Sequence, residues 1–261
     1  MTDLLAVTLG NTSAAAATAD ADGVLRDVAR APLAQLEAIL TPRLEAADGP
    51  VVVGSVNPPA LVRLREAAEA AGCDGPFVAG EDFPIPVRTD VDEPDRVGTD
   101  RLLAALAAYR RAGRACIVID VGTAVTVDAV DDAGTFLGGA IAPGRELMAQ
   151  ALAEGTAQLP YVTPCHAESI LGKNTSDAIR TGIYHTFLGG TTMMLAAALS
   201  EVGEHAAVFL TGGDLATIKS DADDLLSQCD TQEDELKQRG WPVPELVLEG
   251  LVLAWREQQE P

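Results

Sequence analysis

One short pattern occurs twice in this 261-residue chain, and the two copies lie at a constant distance along the sequence. In each copy an apolar strand runs into a turn containing glycine and threonine, a second strand follows, and an acidic turn ends in glycine. Thr12 and Thr123 are 111 residues apart, and Gly23 and Gly134 are also 111 residues apart. Two landmarks that keep one offset indicate a duplicated structural unit. The sequence therefore predicts an α/β protein built from two related domains.

The second copy places a carboxylate beside a glycine turn. Its first strand, which contains the apolar run 117–119, ends near Asp120, and Gly122 and Thr123 follow at once. Backbone N–H groups and threonine hydroxyls in such a turn bind an anion, and an adjacent carboxylate binds a cation. The pattern thus indicates a site for a phosphate group and its metal ion. A hairpin that is merely capped by Asp120 would have the same sequence.

A second candidate site lies where an acidic loop is followed by a helix rich in alanine and leucine. The residues at this boundary are Gly98, Thr99, Asp100 and Arg101. The last two fall in the first helical turn, at the positive end of the helix dipole. In one interpretation Asp100 accepts a proton from a substrate hydroxyl and Arg101 neutralises an anionic group. In the other, Thr99 or Asp100 is an ordinary N-cap. The helix leads directly into the Asp120 strand, and this position favours the functional interpretation.

Two further strands end in polar or glycine-rich turns. The buried strand 51–56 is followed by Asn57 and a helix that begins with proline. This layout either presents Ser55 and Asn57 to a cleft or forms an ordinary polar turn. The last core strand, 206–210, runs into Thr211, Gly212 and Gly213. Glycines at such a place allow the backbone to approach a nucleoside closely.

A long apolar helix, 178–199, follows a Lys-Asn-Thr segment. Lys173 and Thr175 at its N-terminus are suited to an anion or a polar substrate, or they belong to a surface cap made by Thr175 or Ser176. The helix also contains glycines at positions 182, 189 and 190. Glycines on a helix indicate close packing, either within the chain or at a subunit interface.

The charge balance argues against one class of partner. The formal net charge is −21 and the sequence pI is about 4.3, so we expect neither nucleic acid nor an anionic membrane as a partner. The four cysteines are widely spaced and form no CxxC motif, which is typical of a reduced cytoplasmic protein. The N-terminal segment has neither a basic region nor a long apolar run. We therefore expect no signal peptide, no membrane span and a cytoplasmic location.

Taken together, these segments resemble the type III pantothenate kinases, a family that includes the Bvg accessory factor proteins. The resemblance rests on Gly-Thr-Asp-Arg at 98–101, the block 117–159, the ILGKNTSDAIRTGIY segment at 170–184, TGGDLA after Phe209 and PELVLEGL near the C-terminus. It covers nearly the whole chain, with the segments in the same order. The family belongs to the superfamily of acetate and sugar kinases, Hsp70 and actin. The resemblance therefore implies duplicated ribonuclease H-like (actin-like ATPase) domains, residues 1–113 and 114–261, with an interdomain cleft.

The resemblance also implies a reaction and the residues that perform it. The reaction is phosphorylation of pantothenate by ATP, the first committed step to coenzyme A, with Mg²⁺ and a monovalent cation (potassium or ammonium) as cofactors. Asp100 would be the general base, and Asp120 would help to hold the monovalent cation. Pantothenate would contact Gly98, Thr99, Asp100 and Arg101, and also Thr175 from the second subunit of an obligate homodimer with its active site at the subunit interface. ATP would contact Thr8, Leu9, Gly10, Asn11, Thr12, Ser13, Thr123, Gly212 and Gly213.

The chain departs from the family pattern at two places. The family's first hairpin usually carries an aspartate two residues before its glycine, and here that position is Thr8. A hydroxyl cannot supply the charge that positions Mg²⁺, and losing such a group can cost several orders of magnitude in rate. The aromatic residue expected shortly before the Gly-Thr-Asp-Arg motif is also absent, since Val91 and Asp92 stand there. A second hypothesis follows, namely a catalytically impaired homologue that acts as a binding or regulatory protein of the Bvg accessory factor type.

Overall fold

The computed structural model describes residues 3–215 and 242–259. The acidic segment 221–238, expected to be a solvated helix or loop, lies outside the described residues. The strands are β1 Leu4–Leu9, β2 Ser13–Ala19, β3 Leu25–Pro32, β4 Val51–Ser55, β5 Phe77–Val78, β6 Arg88–Thr89, β7 Cys116–Val121, β8 Ala124–Val130, β9 Thr135–Pro143 and β10 Ala207–Thr211. The helices are α1 Leu36–Glu45, α2 Pro58–Ala71, α3 Thr99–Ala112, α4 Arg145–Gly155, α5 Thr175–Val202 and α6 Leu246–Glu257.

The chain divides into two compact units. Among the described residues, the first contains 3–111, 134–136 and 245–259, and the second contains 112–133, 137–215 and 242–244. We expected the division at residue 113 and assigned the C-terminal helix to the second domain. In the structure α6 packs on β1, β2 and β4 of the first unit. Its apolar side chains complete the core of that unit.

The first unit is a five-stranded sheet covered by helices on both faces. The strand order is β3-β2-β1-β4-β5, in which β1, β2 and β3 are antiparallel and β4 and β5 run parallel to β1. Successive side chains of a strand point to opposite faces, so β1, which is apolar except for Thr8, contributes to two cores. Leu5 and Val7 pack with α1 and α2, whereas Leu4 and Ala6 pack with α3 and α6. β6 pairs with the first two residues of β9, which belong to this unit as well.

The second unit repeats the central part of this arrangement. Its strands have the order β10-β7-β8-β9, with β7 and β8 forming an antiparallel hairpin and β10 running parallel to β7. The core consists of alternate residues of the hairpin, including Ile117, Ile119 and Val125, packed on Phe187 and Leu195 of α5. A hairpin whose first strand has a parallel neighbour thus occurs in both units. The duplication predicted from the sequence is confirmed.

No helix in the two described stretches is long and apolar enough to cross a membrane.

Gly250 allows α6 to lie against α3 without an intervening side chain. A Cβ atom at position 250 would overlap the carbonyl oxygen of Leu103, a backbone atom that cannot rotate away. Gly155, the last residue of α4, has no atom within 4 Å of the place where its Cβ would lie. Close helix packing therefore explains the glycine at position 250 and does not explain the glycine at position 155.

Gly250→Ala should lower the free energy of unfolding by about 1–3 kcal/mol, because the helices must separate to admit the methyl group. Gly155→Ala is the matched control, and it should be neutral or stabilising by up to about 1 kcal/mol, because alanine has the better helix propensity. Urea unfolding of both variants measures the two values. Equal stability of the variants would contradict the close packing of α6 on α3.

Candidate active site

In the first unit the glycine turn connects β1 to β2. The N–H of Gly10 donates to the carbonyl of Ser13 at 2.9 Å, which closes the turn, and Asn11, Thr12 and Ser13 are exposed. Leu9 at the end of β1 is buried in the core. The turn therefore presents polar groups and backbone to solvent from a rigid strand.

The end of β4 and the start of α3 lie beside this turn. Leu9 is in register with Ser55, and the N–H of Val56 donates to the Leu9 carbonyl at 3.0 Å. The hydroxyl of Thr99 donates to the carbonyl of Ser55 at 3.0 Å. The structure thus brings together the glycine turn and the N-terminus of α3, which are about 90 residues apart in the sequence. The hydroxyl of Thr99 is used for this attachment.

Asp100 combines a helix N-terminus with a desolvated position. Burial raises the pKa of its carboxyl group, and the backbone N–H and the charge of Arg101 act in the opposite direction. That N–H donates to Oδ1 of Asp100 at 2.8 Å. A carboxylate with a raised pKa is a better proton acceptor than an exposed one, and this is the chemistry of a general base. A Cβ at Gly98 would lie 2.5 Å from Oδ1, so a side chain there would displace the Asp100 carboxylate from this position.

Arg101 is held by an aromatic ring. Its guanidinium carbon lies 5.4 Å from the centroid of Phe136, a fully buried residue of the same unit. Such a cation–π contact restrains a long side chain and stabilises its charge.

The side chains of Ser55 and Asn57 form hydrogen bonds with backbone groups of nearby turns. Asn57 is the N-cap of α2, and its side-chain oxygen accepts from the N–H of Ala60 at 3.0 Å. Its side-chain nitrogen donates to the carbonyl of Asn11 at 3.3 Å. The hydroxyl of Ser55 accepts from the N–H of Asn57 at 3.1 Å. Both side chains therefore have structural partners, and Asn57 also ties α2 to the glycine turn.

In the second unit Asp120 occupies the position that corresponds to Thr8. Each is the second-to-last residue of its strand, which lies between its antiparallel hairpin partner and a parallel strand. Thr8 pairs with Ala15 of the hairpin partner and Gly54 of the parallel strand. Asp120 pairs in the same way with Thr126 and Thr211. A backbone hydrogen bond closes the turn after each of them, but the second turn is one residue shorter. The N–H of Gly122 donates to the carbonyl of Ala124, two residues on, at 3.0 Å, whereas the N–H of Gly10 donates to Ser13, three residues on. The backbone is repeated, whereas the carboxylate is present in one copy only.

Three segments of the second unit converge at Asp120. Gly212 follows β10 with a φ of +115°, and a Cβ there would lie 2.6 Å from Oδ1 of Asp120. The N–H of Gly144 donates to the carbonyl of Thr123 at 2.9 Å. The structure therefore groups Asp120, Thr123 and the Gly212-Gly213 pair, and Gly213 is exposed. Glycine at 212 is required both by its left-handed backbone and by the close approach.

Two residues of this group were missed by the sequence analysis. Arg145 is the first residue of α4, directly after Gly144, and only 6% of its surface is exposed. Asp214 follows the glycine pair, and its N–H donates to the carbonyl of Val121 at 3.1 Å. The sequence feature that could have indicated Arg145 is an arginine at the first position of a helix, where the helix dipole disfavours a cation.

The Lys-Asn-Thr segment differs in detail from the prediction. The cap of α5 is Asn174, whose side-chain oxygen accepts from the N–H of Asp177 at 2.9 Å, so the expectation of a cap at Thr175 or Ser176 is wrong. Asparagine is at least as good an N-cap as threonine, and it lies one residue earlier. Lys173 and Thr175 are exposed. The contacts that group Asp120, Thr123 and Gly212 do not include Thr175.

Comparisons of the sequence with a family model and with individual proteins indicate the same family. The family model described as type III pantothenate kinase matches residues 4–197. A protein named type III pantothenate kinase from Dehalococcoides mccartyi (strain CBDB1) is 33% identical over 221 residues, which are 80% of this chain and 84% of the relative. A protein of the same name from Rhodospirillum rubrum is 37% identical over 190 residues, 72% of each chain.

Solved structures show the same fold at low sequence identity. A Baf family protein from Campylobacter jejuni has a TM-score of 0.57 at 17% identity, and 98% of this chain and all of that one are covered. A ROK family glucokinase from Streptomyces griseus has a TM-score of 0.50 at 13% identity, with 97% and 99% covered. These likenesses confirm the predicted fold class of duplicated actin-like domains.

The raised pKa of Asp100 predicts a stability effect. Because the folded state favours the protonated carboxyl, the ionised form lowers stability once the pH has risen above the unfolded-state value near 3.8 and through the folded-state value. Asp100→Asn, which is neutral at all pH values, should therefore be more stable than the natural protein at pH 7, and this gain should vanish towards pH 3.5. Urea unfolding across this range measures it. Asp95→Asn, at an exposed position, should change stability by less than about 0.5 kcal/mol.

Proposed function

The chain belongs to the type III pantothenate kinase family, and we propose that it transfers the terminal phosphoryl group of ATP to pantothenate, giving 4′-phosphopantothenate for coenzyme A synthesis. The observation that carries this proposal is the family match over residues 4–197, a range that includes Asp100, Asp120, Thr123 and Thr175. The partly buried carboxylate at a helix N-terminus supports it, because phosphoryl transfer to a hydroxyl needs a group that accepts the proton.

We assign the proton transfer to Asp100. Its raised pKa suits a base that takes the hydroxyl proton as the new phosphate ester bond forms. The guanidinium of Arg101, held on Phe136, would pair with the carboxylate of pantothenate. Gly98 and the backbone of Thr99 complete this surface. The Thr99–Ser55 hydrogen bond keeps the start of α3 in place.

We assign ATP to the glycine turns of both units. Backbone N–H groups and hydroxyls of such turns are suited to phosphate oxygens. In the first unit the contacts would come from Thr8 and from the exposed turn that follows β1. In the second unit Thr123 would contact phosphate, and Gly212 and Gly213 would admit the adenosine, since glycines leave room for close approach. The full set is Thr8, Leu9, Gly10, Asn11, Thr12, Ser13, Thr123, Gly212 and Gly213.

The donor groups fit a nucleotide-borne divalent ion and a weakly held monovalent one. Within residues 3–215 and 242–259 no group of three or more His, Cys, Asp or Glu side chains is placed to hold a metal. Mg²⁺ commonly keeps several waters and is held by substrate phosphates with one or two carboxylates, so such a group is not required. Asp120 would hold the monovalent cation, because a single carboxylate among backbone carbonyls supplies little negative charge. The cations would neutralise charge on the phosphates.

We propose a homodimer in which Thr175 contacts the pantothenate bound to the other subunit. The supporting observation is an uncovered side of α5, where Gly182, Gly189 and Gly190 are exposed and 70% of Met193 is exposed. The preceding loop exposes Ile170 and Leu171 by 60% and 66%. Exposed large apolar side chains and an uncovered helix side of this kind are compatible with an interface.

We place the reaction in the cytoplasm. Cys73, Cys116 and Cys165 are free thiols, which is compatible with a reducing compartment. Cys116 lies buried in β7, and burial raises the pKa of its thiol to about 12, so it is chemically inert at neutral pH.

The decisive test is release of ADP by the purified protein with ATP, Mg²⁺ and potassium, in the presence and absence of pantothenate. We expect ADP release that depends on pantothenate. Asp100→Asn should reduce kcat by about 10²–10⁴-fold, the usual contribution of a general base, while Asp95→Asn keeps the natural rate. No turnover from a folded protein that still binds ATP would contradict the kinase and favour the regulatory hypothesis.

The missing carboxylate at position 8 predicts a dependence on Mg²⁺. Thr8→Asp would add a charged oxygen ligand beside the phosphate turn, so the Mg²⁺ concentration that gives half the maximal rate should fall several-fold. Thr8→Asn, which is polar but uncharged, should not lower it. Initial rates over a Mg²⁺ titration measure the effect. A rise in kcat of two or more orders of magnitude at saturating Mg²⁺ would instead identify the natural chain as a catalytically impaired homologue.

A further inference from the structure

Arg145 is a buried cation in an unfavourable place. It is the first residue of α4, where the helix dipole is positive, and 94% of its surface is withdrawn from water. Its guanidinium carbon lies 5.5 Å from the ring centroid of Phe187. An apolar side chain could cover the same ring without the desolvation of a charge. The charge at this position therefore indicates a role other than packing.

The backbone fixes where this charge lies. The preceding residue, Gly144, donates its N–H to the carbonyl of Thr123 at 2.9 Å, and a Cβ on Gly144 would overlap the carbonyl of Gly122. No side chain separates the start of α4 from the 122–123 turn. The Arg145 side chain is therefore buried next to the 122–123 turn, which is proposed to contact phosphate.

Asp214 is the acidic group that this charge attracts. It lies in the turn 212–215 after β10, and its N–H donates to the carbonyl of Val121 at 3.1 Å, one residue before the 122–123 turn. Burial raises the pKa of the Asp214 carboxyl group, the charge of Arg145 lowers it, and the charge of Glu146 raises it. Arg145 thus favours the ionised form of a partly buried carboxylate in the loop that carries Gly212 and Gly213.

We propose that Arg145 is a positioning residue for ATP: its attraction for Asp214 holds the 212–215 turn against the 122–123 turn, and so keeps the Gly212-Gly213 backbone open for the adenosine. This inference rests on the proposed function, in which the glycine pair receives the nucleoside. Neither residue is assigned to the proton transfer or to the phosphates of ATP, so the pair acts on ground-state binding of ATP and leaves the chemical step unchanged. Loss of either charge releases the turn.

The test compares Arg145→Met, Asp214→Asn and the double variant with the natural protein. Both single variants should raise the KM for ATP about tenfold or more while kcat changes less than about threefold, the signature of lost uniform binding. Calorimetric titration with MgATP, without pantothenate, should show the same weakening of Kd. The double variant should be no weaker than the single ones, because both remove one interaction. Arg65→Met, which breaks the exposed pair with Glu81, is the matched control and should change neither constant.

Three results would overturn the inference: an unchanged Kd for MgATP, additive effects in the double variant, or a fall in kcat at unchanged KM. If Arg145→Met does not fold, Asp214→Asn decides by the same criteria. Failure of the proposed function is seen separately, as absence of pantothenate-dependent ADP release by the natural protein. In that case the MgATP titrations still test the role of Arg145.

Discussion

The parallel pairing of each hairpin with a later strand decides where the candidate site residues of this protein lie. β1 pairs with β4, and β7 pairs with β10, so that in each unit a hairpin turn and the turn after the parallel strand leave the sheet at the same edge. The Thr99–Ser55 and Gly144–Thr123 hydrogen bonds then bring a helix N-terminus to each edge. Candidate residues that are far apart in the sequence become neighbours through the strand pairing and these two hydrogen bonds.

The repeat preserves this backbone while its two copies differ in charge. Thr8 and Asp120 occupy equivalent strand positions, and the turn after each of them is closed by a hydrogen bond from a glycine N–H. Only the second copy has a carboxylate there, and among residues 3–215 and 242–259 only the second has a buried arginine beside its turn. The copies are therefore suited to different tasks, with neutral donors in the first unit and a balance of opposite charges in the second.

Much of the fold could be predicted because its signals are local. The apolar strands, the glycine turns and the N-terminal position of Asp100 on α3 all follow from adjacent residues. The cap at Asn174 was missed because three consecutive polar residues are all acceptable caps. The Arg145–Asp214 attraction was missed because it joins residues 69 positions apart, and no pattern in either segment refers to the other. The placement of α6 was missed for the same reason.

The position of α6 has a consequence for how the protein is made. The helix belongs to the core of the first unit, yet it is synthesised after the whole of the second. During synthesis, the face of β1 and β4 that α6 will cover stays open to water until translation has passed residue 257. By then the hairpin of the second unit already has the residues on which it packs. A chaperone that holds exposed apolar strands would therefore act on the first-made half of this protein for longest.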